Sequence, residues 1–346
     1  MSAAGVPAAK PGADDGASRA VISARTLAVW GGPLLLLGIA VALGMMLGAS
    51  TYTPREVIDG LLDRDRSLHI IMYELRLPRV MLAIMVGASL GVAGVLLQGV
   101  TRNPLADPHI LGLTAGAGLA ASLAVNVSAD IPERTLAPIA FGGALLAAFV
   151  LYIMSYRGAA TSPTRLALSG VAVASLLTAG TTMVLVSSKL TTQAALAWLA
   201  GGLFGRGWDE VHVMWPYALI GLSAAVLLSR NLNVLALGDE AAASLGLGVE
   251  RTRAIAIVVA ALLAGTSVAA AGMIAFVGLV IPHSARFLVG DDHRKLVPLS
   301  AILGGALIVY ADIFARTVQA PIEIPLGIVT AAVGAPFLLY VVRAKT

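Results

Sequence analysis

The chain has 346 residues, 58% of them hydrophobic and only 12% charged, with a net charge of +4 and no cysteine; its mean hydropathy is +0.89. That balance lies outside the range of a soluble globular domain and marks a polytopic membrane protein. It excludes disulfides, a thiolate nucleophile and cysteine-bound metal, and its scattered cations, without basic runs interleaved with aromatics, offer nothing to nucleic acid.

Residues 1–24 are rich in Ala, Gly and Pro and read as a disordered cytoplasmic tail. The apolar run Leu27–Leu47 has spanning length rather than the shorter core of a secretion signal. Further runs lie at Val80–Val100, Ile110–Val127, Leu136–Ser155, Leu166–Val186, Val211–Leu228, Ile255–Ala271, Ile274–Leu288, Leu299–Tyr310 and Ile328–Val342. At about 20 residues per span they predict about ten transmembrane helices, so residues 25–346 form one all-α transmembrane domain.

An even number of spans puts both chain ends on one side, and most of the 23 Lys and Arg residues flank the spans on that side. The excess of cations marks it as cytoplasmic. The loop Arg102–Pro108, the segment Asn231–Arg253 and the loop Gly290–Lys295 then face the cytoplasm as well. Ahead of the second span, Thr53-Pro54-Arg55-Glu56 is a capping box with proline at the first helical position and predicts a short surface helix.

The stretch Gly87-Ala-Ser-Leu-Gly-Val-Ala-Gly94 is answered by Gly265-Thr-Ser-Val-Ala-Ala-Ala-Gly272, and Pro104 and Pro282 follow at equal distance. The copies open spans two and seven, which run in opposite directions, so they predict an internal inverted repeat, a device transporters use to build two alternating openings. The alternative is chance likeness among small residues. Small pairs at four-residue spacing, Gly44 with Gly48, Gly87 with Gly91 and Gly112 with Gly116, let helices approach closely where lipid supplies no hydrophobic force between them.

The only long polar segment inside the apolar chain is Asn231–Arg253. Gly238 and Gly246 bracket a run of helix formers from Asp239 to Leu245, with Asp239 and Glu240 in the first turn, where the helix dipole favours negative charge. Such a helix is too short to be stable alone and too polar at its start for lipid. It is expected at the membrane surface against a partner, with a solvated loop as the alternative.

Catalytic signatures are missing. There is no Gly-x-x-x-x-Gly-Lys-[Ser/Thr] loop and no His-Glu-x-x-His, and His69, His109, His212, His283 and His293 are dispersed. Ionisable residues near the middle of a span, which would mark an ion relay, are almost lacking; Asp312 and Glu323 lie near the outer ends of the last spans. A conduit without its own relay must borrow energy, which is a reason to expect a cytoplasmic partner at Asn231–Arg253.

Several stretches carry a resemblance. They are Arg76-Leu-Pro-Arg79, Gln98, Arg102-Asn-Pro-Leu-Ala-Asp-Pro108, Leu111-Gly112, Leu237-Gly238 with Leu245-Gly246, Gly278-Leu-Val-Ile-Pro-His283, Asp292-His-Arg294, Ala311-Asp312 with Arg316, Glu323-Ile-Pro325 and Gly334-Ala-Pro-Phe337. In order and spacing the chain resembles the FecCD family, the permeases of bacterial ABC importers for ferric siderophores, haem and vitamin B12. The resemblance implies ten helices per subunit in the cytoplasmic (inner) membrane, amid its lipid, and a second permease subunit, identical or paralogous. It also implies two ATPase subunits and a periplasmic or lipid-anchored substrate-binding protein. ATP and Mg would sit on the ATPase; for this chain it implies no cofactor, no metal and no catalytic residue.

By the same resemblance Leu237, Gly238, Asp239, Glu240, Leu245 and Gly246 belong to the element that couples to the ATPase. Arg76, Arg79 and Arg316 match outer arginines that pair with glutamates of the binding protein, a task suited to the planar guanidinium. Alternatives are anchoring of a helix end for the first two and pairing with Asp312 for Arg316. Asn103, Pro104 and Leu105 match the inner gate, with Thr161 and Ser162 on the next inner loop; a plain helix-ending turn is the alternative for both. His283 and His293 are assigned to structure. A ferric siderophore is the expected cargo, haem or vitamin B12 the alternative, and an ion-coupled secondary carrier the rival mechanism.

Overall fold

The structure, a computed structural model, describes residues 14–127, 132–157, 160–161, 163–187 and 200–344. In chain order the helices are α1 (Asp14–Met46), α2 (Pro54–Leu61), α3 (Arg66–His69), a π-helical segment (Ile70–Arg76), α4 (Leu77–Thr101), α5 (Leu113–Val127), α6 (Glu133–Ser155) and α7 (Pro163–Ser187). They continue with α8 (Trp208–Leu235), α9 (Asp239–Ser244), α10 (Val249–Ala271), α11 (Val277–Val289), α12 (His293–Thr317) and α13 (Leu326–Ala344). Among the described residues the one departure from helix and loop is a two-residue antiparallel pairing of β1 (Tyr156–Arg157) with β2 (Ala160–Thr161).

Seven of these helical stretches are long and apolar enough to cross a membrane, and three shorter apolar helices lie at Leu113–Val127, Val277–Val289 and Leu326–Tyr340. Each of the runs expected from sequence falls on one of them. Helix α1 is already helical at Asp14, inside the segment read as a tail; residues 1–13 lie outside the described residues. Of the polar segment 231–253, only α9 is a separate helix, and its flanks belong to α8 and α10.

Local chemistry fixes the entry to α4. Helix α2 starts on the capping box: the Thr53 amide donates to Glu56 Oε2 at 2.7 Å, and the Glu56 amide to Thr53 Oγ1 at 3.4 Å. The π-helical turn Ile70–Arg76 runs straight into α4, whose second residue is Pro78. Proline has no N–H to give and its ring crowds the carbonyl one turn back, and a local widening of the helix is a recognised way to absorb that.

Helix α4 is the centre of the molecule, buried along almost all of its length from Val86 to Thr101. It packs on α12, α10, α8 and α11. Glycines make this possible, because a Cβ built at Gly87 would lie 2.0 Å from the Gly304 carbonyl oxygen of α12, and one at Gly94 would lie 2.0 Å from that of Gly278 in α11. Backbone meets backbone, as membrane helix pairs require.

The packing follows the sequence repeat. As α4 packs on α12 and α11, so α10, its counterpart, packs on α6 and α5; exchanging the two halves maps one set of contacts onto the other. Between α10 and α11 the chain is unwound, with Gly272 at φ 70° and Phe276 at φ 69°. One carbonyl freed at the end of α10 is reused, Gly202 N donating to Ala271 O at 2.8 Å, and the stretch of chain that supplies this donor is itself held by Leu326 N donating to Gly201 O at 2.9 Å. Irregular backbone at membrane depth is tolerated where it is buried in protein or lines a cavity.

Candidate functional site

Two charged clusters sit at opposite ends of α4, whose 25 residues span about 37 Å at 1.5 Å per residue. The first surrounds α9. Gly238 precedes it at φ 113° and Gly246 follows at φ 81°, conformations that side chains with a Cβ rarely adopt, so the glycines set both ends of the helix as expected. Ala242 alone of its residues is buried. Glu240, Ala241 and Ala243 face outward, flanked by Leu237 and Leu245 at 64% and 66% exposure. Two exposed leucines around a small, acidic helix form a face that nothing among the described residues covers.

On its inward side α9 is tied down by Asp239. Arg253 Nη2 donates to its two carboxylate oxygens at 2.7 and 2.9 Å, and Arg102 donates to Oδ1. Burial pushes the Asp239 carboxyl up, but the hydrogen bonds and charge of Arg253, then of Arg102, outweigh it and hold the group below the usual carboxylate range. Arg253 itself is fully buried and also donates to Glu250 at 3.0 Å, whose other oxygen accepts from the Tyr152 hydroxyl at 2.6 Å. The chain of contacts therefore joins α9 to α4, α10 and α6.

The expected gate residues follow directly. Helix α4 ends at Arg102, a left-handed residue with φ 47°. Asn103 Oδ1 then accepts from Leu105 N at 3.0 Å, and Asn103 O from Ala106 N at 3.1 Å, a tight turn that leaves Pro104 and Leu105 exposed. Gln98 fastens the far side of that turn: its amide donates to Ala106 O at 3.2 Å and to Gly278 O at 3.1 Å, while Arg286 donates to its oxygen. Asp107 is buried beneath, which pushes its carboxyl up against the pull of the His109 charge and of the His109, Ile110 and Leu279 amides. A cavity of about 700 Å³ bounded by Gln98, Arg102, Pro104, Arg286 and His293 opens here. Thr161 takes part in the small β pairing, its side chain and Ser162 lying outside the described residues. His293 Nδ1 lies 2.9 Å from Asn233 Oδ1, and the His283 ring meets Phe287 and Phe337 edge-on, so both are held by structural contacts.

The second cluster gathers Arg76, Arg79 and Arg316 at the other end of α4, inside the protein rather than at the surface expected of outer docking residues. Arg79 is clamped by two carboxylates, Asp312 at 2.8 Å and Glu323 at 2.7 Å. Arg316 lies 3.4 Å from Asp312, one helical turn away, and donates to Gly44 O at 2.5 Å. Arg76 donates to Met45 O at 2.6 Å and Ser50 O at 2.5 Å and sits 4.7 Å from the Tyr52 ring centre. A guanidinium removed from water must find carboxylates, carbonyls or an aromatic face nearby. Beside this cluster, Phe204, Arg206, Gly272 and Glu323 help to line a cavity of about 640 Å³.

Sequence reasoning missed Arg253, Glu250 and Tyr152, and saw Arg102 only as part of a motif. A cation in the first turn of an apolar span looks like an interfacial anchor; only the fold shows that Arg253 turns inward onto Asp239.

Comparisons with known proteins follow the same outline. The model of the FecCD transport family matches residues 35–344. The Fe(3+)-citrate import system permease protein YfmE of Bacillus subtilis (strain 168) is 41% identical over 313 residues, 90% of this chain and 94% of that protein. The cobalamin import system permease protein BtuC of Halobacterium salinarum is 42% identical over 276 residues, 80% of this chain and 74% of that one. Among solved structures, an ABC transporter assigned to the metal-chelate type, in an inward-facing conformation, superposes with a TM-score of 0.79 at 30% identity, covering 91% of this chain and 98% of that one.

Proposed function

The chain belongs to the FecCD transport family, and from that premise we propose that it is the permease subunit of a bacterial ABC importer carrying a ferric siderophore across the cytoplasmic membrane, driven by a separate ATPase. It is a multi-pass transport subunit and not an enzyme. The observation that carries the proposal is α9: a glycine-bounded, outward-facing helix with exposed Leu237, Glu240 and Leu245, anchored through Asp239 to the end of the central helix. A rigid knob of that kind suits a cleft in a moving partner.

In this reading two ATPase subunits bind ATP and Mg, grip the α9 face and move together, and the inner mouth at Asn103, Pro104 and Leu105 opens as the outer one closes. Thr161 and Ser162 border the same mouth. Both chain ends face the cytoplasm. A periplasmic or lipid-anchored binding protein delivers cargo at the Arg79 end. There Arg76, Arg79 and Arg316 hold the docking surface in shape through their internal partners rather than reaching out to the incoming protein. A second permease subunit, identical or paralogous, completes the pathway.

The iron cargo draws on the ferric-citrate permease among the relatives; cobalamin is the second reading, favoured by the halobacterial relative, of like identity over a shorter match. Purifying the assembly with its binding protein and identifying the bound small molecule by mass spectrometry separates the two. For the coupling itself, Glu240→Arg should leave the protein folded in the membrane and abolish co-purification of the ATPase. Undiminished co-purification would overturn the assignment of α9.

A further inference from the structure

Asp239 receives two arginines from different elements, and they lead to different places. Arg253 carries the contact to α10 and, through Glu250 and Tyr152, to α6. Arg102 carries it to α4: its guanidinium donates to Asp239 and, at 3.2 and 3.0 Å, to the Leu235 carbonyl that closes α8. Its own backbone is the left-handed residue that ends α4, and its peptide neighbour is Asn103, the first residue of the turn that presents Leu105.

We propose that Arg102 is the positioning residue that links α9 to the inner mouth, so that displacement of α9 moves the end of α4 and the Asn103-Pro104-Leu105 turn with it. This rests on the reading of α9 as the ATPase contact. The geometry makes the link stiff. The side chain is held at one end by a carboxylate and a carbonyl in a forked arrangement that lysine cannot reproduce. At the other end it joins a backbone whose φ of 47° is unusual for a residue with a Cβ. Beyond it the Asn103 side chain closes the turn on Leu105 N, so the turn moves as one piece. The Gln98 contacts to Ala106 and Gly278 then mark where movement stops being local and reaches α11.

The chain has no cysteine, so Leu105→Cys provides a single reporter at the mouth. In proteoliposomes holding the full assembly with its ATPase, the rate at which a membrane-impermeant maleimide modifies that cysteine is measured with and without Mg-ATP. Mg-ATP should change the rate at least about fivefold, the lower end of ordinary coupling between sites. Adding Arg102→Gln should abolish the change while the ATPase still co-purifies, and Arg102→Lys should leave only part of it. A full ATP response in Arg102→Gln would overturn the proposal. Should Arg102→Gln fail to assemble, Arg102→Lys decides, and an undiminished response there overturns it equally. If instead the Leu105→Cys parent retains the ATPase but shows no ATP response, the assignment of the inner mouth fails and takes the proposal with it, whereas the assignment of α9 stands or falls on Glu240→Arg.

Discussion

At the scale of single residues, the structure is governed by how few charges it has and by the partners it gives the buried ones. Arg79 faces Asp312 and Glu323 with little water around any of them. Removing Arg79 would break its pair with Glu323 and leave Asp312 with Arg316 alone at 3.4 Å, and breaking a buried ion pair costs about 3–5 kcal/mol. Arg79→Ala should therefore lower stability by about that amount in denaturant titrations of the detergent-solubilised protein, and a loss comparable to that of a surface mutant would show the cluster to be solvated. Asp239 gives a pH signature with a definite sign. Its folded-state pKa is lowered by Arg253 and Arg102, so its stabilisation is complete above the usual carboxylate value of about 4 and is lost only as pH falls through the lowered value. Amide exchange protection of α9, corrected for intrinsic rates, should then be flat from about pH 5 to 8, and a midpoint inside that range would contradict the assignment. The presence of a capped acidic helix was legible in Gly238, Asp239, Glu240 and Gly246. Its anchors were not, because Arg102 is 137 residues from Asp239 and, for Arg253 only 14 residues on, nothing local reveals which way a long side chain turns.

At the scale of elements, hydrophobic run length located the long apolar helices among the described residues, and the Thr53–Glu56 box located α2, because both signals are written in consecutive residues. What sequence could not show is where helices stop inside the membrane. The run Ile274–Leu288 reads as continuous, yet the chain is unwound through Phe276, where neighbouring backbone takes over one of the lost hydrogen bonds. Helix contact through bare backbone was anticipated for Gly87 and Gly91, whereas Gly112, read with Gly116 as a packing pair, sits at a turn with φ 84°. Gly94 is the sharpest test. A methyl group there would meet the Gly278 carbonyl, and overpacking of this kind costs about 1–3 kcal/mol. Gly94→Ala should lower the unfolding midpoint measurably, while the same change at Gly142, beside which a Cβ meets nothing, should not.

At the scale of the whole molecule, the two charged clusters define two faces. On the proposed orientation, with α9 in the cytoplasm and the Arg79 end outside, a cysteine at Leu245 should react with an impermeant reagent only in inverted membrane vesicles, and one at Ile322, 65% exposed near Glu323, only in intact cells stripped of outer barriers. The opposite pattern would reverse the transport direction assigned here. The fold-level repeat was legible as an echo of small residues, and it reappears in the way α4 and α10 choose their partners. The glycine belt of α4 carries a mechanical consequence. A rod held by charge at both tips, and resting at mid-height on side-chain-free contacts at Gly87 with Gly304 and Gly94 with Gly278, has the layout of a lever on a fulcrum. We expect a tug on its lower tip to swing the upper one the opposite way, so that two doors on one hinge-bar never stand ajar together.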